Sequence, residues 1–160
     1  MVQTRYSRIG VALLASVSLG LAPGATAGQH PAPSFHAGVE VTRIFSGPDD
    51  LTHVEVVMVT VVARAAPNQL SALSELSDAS TFQIRSWAPG YSNDWHTVSE
   101  RHYMIGVSGT AEVEVSAGPK VRVEPGRIFL FENLTGKGHR IRNTGSEPCV
   151  TAAIAAPKLK

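Results

Sequence analysis

The chain has 160 residues, a formal net charge of +1, 43% hydrophobic and 17% charged residues, and one cysteine. That length holds one domain with a short targeting segment, and the scattered, nearly balanced charges exclude a basic surface for nucleic acid or anionic membrane. A lone cysteine excludes an internal disulfide, so stability must come from packing, supplemented by metal or by pairing of subunits.

Arg5 and Arg8 precede an apolar run from Ile9 to Ala22, and Ala25-Thr26-Ala27 follows with the small-x-small pattern of a cleavage site. Residues 1–27 therefore read as a signal peptide, because the run is shorter than the roughly 20 residues that span a bilayer. The expected location is periplasmic or extracellular, with no membrane association after cleavage. Residues 28–38, rich in Pro, His and Ala, read as a flexible lead-in. Cleavage would expose Gly28-Gln29-His30, a tripeptide that can surround Cu(II) or Ni(II), although a motif needing only one histidine arises often by chance.

The expected domain covers 39–156 and is all-β. Val39 to Phe45, Val54 to Val62, Thr81 to Ala88, His102 to Ser108, Ala111 to Ser116, Lys120 to Val123, Arg127 to Phe131, His139 to Asn143 and Val150 to Ala155 are short runs rich in β-branched residues. Turn signals such as Ala88-Pro89-Gly90, Ala117-Gly118-Pro119 and Glu124-Pro125-Gly126 separate them. Many closely spaced short strands predict a sandwich or closed barrel. Gln69 to Leu76 alone has helical composition, and no βαβ alternation suggests a nucleotide-binding fold. Cys149 stands in an apolar stretch and reads as an inert buried thiol.

Two spaced patterns carry the chemistry. Gly90, His96, His102 and Gly109 are separated by five, five and six residues, and Gly126, Glu132, Gly136, His139 and Asn143 form a second series. Together they resemble the two motifs of the cupin family. His96 matches the first histidine of the first motif; the family's second histidine falls on Val98 and its glutamate on His102. In the second motif Glu132 replaces a proline, and the turn from Glu132 to Gly136 is two residues longer than usual. Asp94-Trp95-His96 and Gly136-Lys137-Gly138-His139 look like a group of small cupins with a Trp-His first motif and a Gly-Lys-Gly-His second one. The resemblance implies a double-stranded β-helix barrel with a short N-terminal extension, and a divalent metal (Zn, Fe, Mn, Cu or Ni) held by His96, His102 and His139.

Three imidazoles suffice chemically for such an ion and leave positions open for water or substrate. Glu100 and Glu132 are candidates for a general base or a fourth ligand, against the plainer reading of solvated loop carboxylates. Strand alternation aims Tyr103 away from the cavity, along with Arg140 and Arg142, whose guanidinium groups could otherwise hold a carboxylate, as could Arg101. Three functions stay open: a metal-dependent enzyme on a small organic substrate, a non-catalytic binding module, or a metal-free isomerase or cyclase using His96 or His139 as acid and base. A homodimer is expected, with the apolar strand Val54 to Val62 as the pairing edge.

Overall fold

A computed structural model describes residues 38–63, 72–75 and 77–156. The proposed signal peptide, all but the last residue of the lead-in, and half of Gln69 to Leu76 lie outside the described residues. Within them the chain forms eleven strands and no helix, and the expected all-β class holds: β1 (Gly38–Ser46), β2 (Thr52–Thr60), β3 (Val62–Ala63), β4 (Ala72–Leu73), β5 (Thr81–Trp87), β6 (His102–Ser108), β7 (Ala111–Val115), β8 (Val121–Val123), β9 (Ile128–Glu132), β10 (His139–Asn143) and β11 (Cys149–Ala155).

The strands follow from alternation. In β7 the sequence Ala-Glu-Val-Glu-Val buries every apolar residue and leaves the glutamates half-buried, and β11 repeats this period from Cys149 to Ala155. Six strands make one sheet in the order β2-β1-β9-β6-β11-β5, and three make another in the order β10-β7-β8. In the large sheet β1 runs parallel to β9, while the other neighbours are antiparallel. The core draws on both sheets, with Ile44, Met104, Phe129 and Phe131 from the large one and Val113 and Ile141 from the small one. Truncating a buried phenylalanine such as Phe131 costs roughly 3–5 kcal/mol.

Most strands shift by one residue from their sequence-based limits, and two differences are larger; the run expected from Val54 to Val62 ends at Thr60, with Val62 in β3. That run begins at Thr52, because Thr52 and His53 continue the ladder opposite Ser46 and Phe45. Ala72–Leu73, inside the segment of helical composition, forms β4 against Val62–Ala63, an instance of tertiary pairing overriding local propensity.

Inner-face residues of the large sheet place the cavity. On β5 these are Thr81, Gln83, Arg85 and Trp87, which lie opposite Ala155, Ala153, Thr151 and Cys149 of β11. The two alanines leave room between the longer side chains of β5 and those of β6. That room becomes the outer part of the site.

Candidate functional site

His139 and His96 meet through the backbone. His96 N donates to His139 O at 2.9 Å and His139 N donates to His96 O at 2.8 Å, an antiparallel bridge that attaches the segment before β6 to the free edge of β10. Facing residues in such a pair project their side chains together, and the two imidazole centroids are 4.4 Å apart. Gly138 makes this approach possible: its φ is +83°, and a Cβ there would strike the His96 carbonyl oxygen. The Gly-His step is therefore a steric requirement of the histidine pair.

His102 reaches the same place from β6. Its ring stacks on Phe131 at 5.1 Å, and Phe131 also packs against His139 at 4.8 Å. All three histidines line one cavity of about 230 Å³, walled by Trp87, Val98, Met104, Phe131 and Ile141 and edged by Arg85, Tyr91 and Asn93. Val98, at the position of the family's second histidine, is an apolar part of this wall. A wider vestibule of about 460 Å³ shares Arg85, His96, Val98 and His102 with the inner cavity and continues past Gln83, Ser99 and Glu100. His139 is the deepest imidazole at 2% exposure, His102 is buried, and His96 stands exposed at the vestibule.

Hydrogen bonds fix the outward sides of these rings. His96 Nδ1 lies 3.0 Å from the Asp94 carbonyl and His102 Nδ1 lies 3.1 Å from the Glu100 carbonyl. A carbonyl can only accept, so a neutral His102 carries its proton on Nδ1 and keeps the Nε2 lone pair; His96 does the same when it donates to Asp94, the shorter of its two contacts, the other being the Asn93 amide nitrogen at 3.4 Å. Asn133 Nδ2 donates to His139 Nδ1 at 2.9 Å, and the Oδ1 of the same buried amide has no partner. Turned over, that amide would accept from Nδ1–H and free the third Nε2 lone pair.

Burial is the main cause that drives the His139 pKa down to about 3, with the charges of His96 and His102 adding to it. Burial also lowers that of His102, where Arg85 acts in the same direction while the Glu100 carbonyl and carboxylate oppose it. His139 is thus a neutral imidazole throughout the physiological range.

The two expected carboxylates part company. Glu100 is exposed and lines the vestibule. Glu132 is held by Arg101 Nε at 2.6 Å and by Arg43 Nε at 2.5 Å. Burial raises its carboxyl, but these two guanidinium hydrogen bonds outweigh it and keep the group below the usual range. Arg140 pairs with Glu114, and it and Lys137 cover the ring of Trp95. Tyr103 faces the opposite side of the large sheet, in an apolar groove with Ile105 and Ile128. Sequence reasoning missed Arg85, Trp87, Tyr91 and Asn93; the only signal available was the inner-face period of β5, which puts Arg85 and Trp87 on one side.

The family model described as the cupin domain matches residues 84–155. Over these residues the chain is similar to a cupin domain. The match begins on β5, takes in all three histidines and ends at the last residue of β11. Among solved structures, the chain resembles a protein of unknown function from Rhizobium leguminosarum, 27% identical over 48% of this chain and 69% of that one, with a TM-score of 0.42. It also resembles a cupin 2 conserved barrel domain protein from Salinispora arenicola, 23% identical over 48% of this chain and 61% of that one, TM-score 0.40. A double-stranded β-helix protein from Klebsiella pneumoniae is 19% identical over 51% of this chain and 76% of that one, TM-score 0.41. Comparison with curated proteins returns no match.

Among the described residues no three His, Cys, Asp or Glu side chains are drawn close enough to hold an ion as they stand. The donor set nevertheless has the chemistry for one: carbonyls stand behind the His96 and His102 rings to accept from Nδ1–H and leave Nε2 free, and the orphaned Asn133 Oδ1 supplies the means for the third.

Proposed function

We propose that the chain is a metal-dependent cupin acting on a small organic molecule, with His96, His102 and His139 as the ligands of a divalent ion. One observation carries this reading: three imidazoles line a single cavity, each with its Nδ1 engaged, so that Nε2 is the atom left for the interior. Magnitude helps to choose between ligand and base. A general base works best with a pKa near the operating pH, whereas His139, at about 3, is a poor proton acceptor and loses nothing as a neutral ligand.

A bound ion would supply Lewis acidity toward a substrate oxygen or activate water or dioxygen. The chain's own residues do the rest. Trp87, Met104, Phe131 and Ile141 give the inner cavity an apolar wall, and the carbonyls of Asp94 and Glu100 hold two rings in place. Glu100, at the vestibule, is the carboxylate positioned to exchange protons with solvent. Glu132 is bound by two arginines and is assigned to structure.

The spacing of the imidazoles, which closes no three-donor group among the described residues, favours a second reading, a barrel that binds a small molecule without metal. Elemental analysis after reconstitution separates the two: one ion per chain supports the first reading, and a metal-free protein that still binds ligand supports the second. Export after cleavage at Ala27 and pairing into a homodimer belong to the same proposal.

A further inference from the structure

Arg85 is the cation of the cavity. It lies on the inner face of β5, is half-buried, and lines both the inner cavity and the vestibule. Its Nε donates to Gln83 Oε1 at 2.8 Å, which anchors the guanidinium from its own strand and, among the described residues, leaves both terminal nitrogens uncommitted. The contrast with other arginines is informative. Arg43, Arg101, Arg122 and Arg140 all pair with glutamates; among the described residues Arg85, Arg127 and Arg142 have no carboxylate partner, and of these three only Arg85 is half-buried, the other two being exposed. A guanidinium at a cavity wall with its terminal nitrogens free is placed to receive an anion.

We infer that the site takes a small organic monocarboxylate, with its acid group set against the Arg85 guanidinium and its apolar body against Trp87, Met104 and Phe131. The inference rests on the cavity being the functional site and extends that reading to a substrate class. The guanidinium fork matches a carboxylate in two parallel hydrogen bonds. Phosphate offers the same geometry but more charge. Arg85 supplies one positive charge, which a monocarboxylate matches, and Glu100 on the same vestibule repels a dianion more strongly than a monoanion. The inner volume of about 230 Å³ lies below the usual range for drug-sized ligands, which keeps the molecule small.

The test is an NMR titration of the chelator-treated protein with short monocarboxylates from acetate to benzoate, the corresponding amides, and inorganic phosphate. At least one acid should bind, with shifts at Trp87 and Arg85, and should bind at least tenfold more tightly than its amide and than phosphate. Arg85→Gln should weaken that acid at least tenfold, Arg85→Lys should retain part of the affinity, and both should keep the wild-type circular dichroism spectrum. Equal acid affinity in folded Arg85→Gln, preference for phosphate, or no binding of any acid would overturn the inference. Metal uptake on reconstitution is measured in parallel: acid binding by a protein that takes up no metal on reconstitution would sink the metal reading alone, and metal uptake without acid binding would sink this one alone.

Discussion

Asn133 Nδ2 stands 2.9 Å from His139 Nδ1 in the interior of the barrel, while the opposite end of the same amide, Oδ1, meets no partner. This amide decides which nitrogen of His139 carries the proton. Donating through Nδ2 keeps the proton on Nε2, and accepting through Oδ1 moves it to Nδ1 and opens Nε2 to a ligand.

Asn133→Leu should therefore reduce metal affinity roughly 10–100-fold and destabilise the fold by about 1–3 kcal/mol, since His139 Nδ1 is left buried without a partner. Nitrogen-15 NMR of the histidine rings should record a changed tautomer at His139 in the metal-free variant. An unchanged ring spectrum together with unchanged affinity would remove Asn133 from the account.

Stability should depend on pH through His139. Its folded pKa of about 3 lies below the ordinary 6.5, so the unfolded chain takes up a proton that the folded chain refuses. The contribution is complete above pH 6.5 and is lost as pH falls toward 3. At about 1.4 kcal/mol per unit this withdraws a few kcal/mol. Urea unfolding of metal-free protein at pH 7.5, 5.5 and 4.5 should show the decline, and it should be shallower in His139→Gln. Parallel slopes would contradict the assignment.

Glu132→Gln should behave as a structural lesion. The carboxylate joins Arg43 on β1 to Arg101 before β6, and weakening two charge-assisted hydrogen bonds should cost roughly 1.5–3 kcal/mol. Metal content should stay at the wild-type level. A stable variant that has lost its metal would return Glu132 to the site.

These residues also mark what the sequence discloses. Barrel strands were legible because short β-branched runs stand between turn signals, and in β7 apolar and polar residues alternate. The histidines were legible because a bridge between His96 and His139 demands Gly138 beside it, and that demand leaves a spaced motif. Arg85 was not legible, since a lone arginine in a strand acquires meaning only when Ala153 and Ala155 on the neighbouring strand leave space beside it. Glu132 looked like a loop carboxylate because its partners, Arg43 and Arg101, are 89 and 31 residues away. Local pattern carries no record of such pairings.

Export and pairing can be checked together. Protein recovered from the periplasm or medium should begin at Gly28 by mass spectrometry; an intact Met1 would contradict cleavage. β2 is an edge of the large sheet, with Val56 59% and Met58 60% exposed, and apolar edge strands favour pairing. Light scattering should give a dimer, and Val56→Lys with Met58→Glu a monomer; a wild-type monomer at micromolar concentration would contradict the pairing.

The most direct test of the central claim is the metal content of the reconstituted protein and of its His96→Ala, His102→Ala and His139→Ala variants, each confirmed as folded by circular dichroism. The account predicts one ion of zinc, iron, manganese, copper or nickel per wild-type chain and a strong loss in every variant, with Glu100→Ala close to wild type. Substoichiometric metal in the wild type, or wild-type metal in folded His139→Ala, would contradict it.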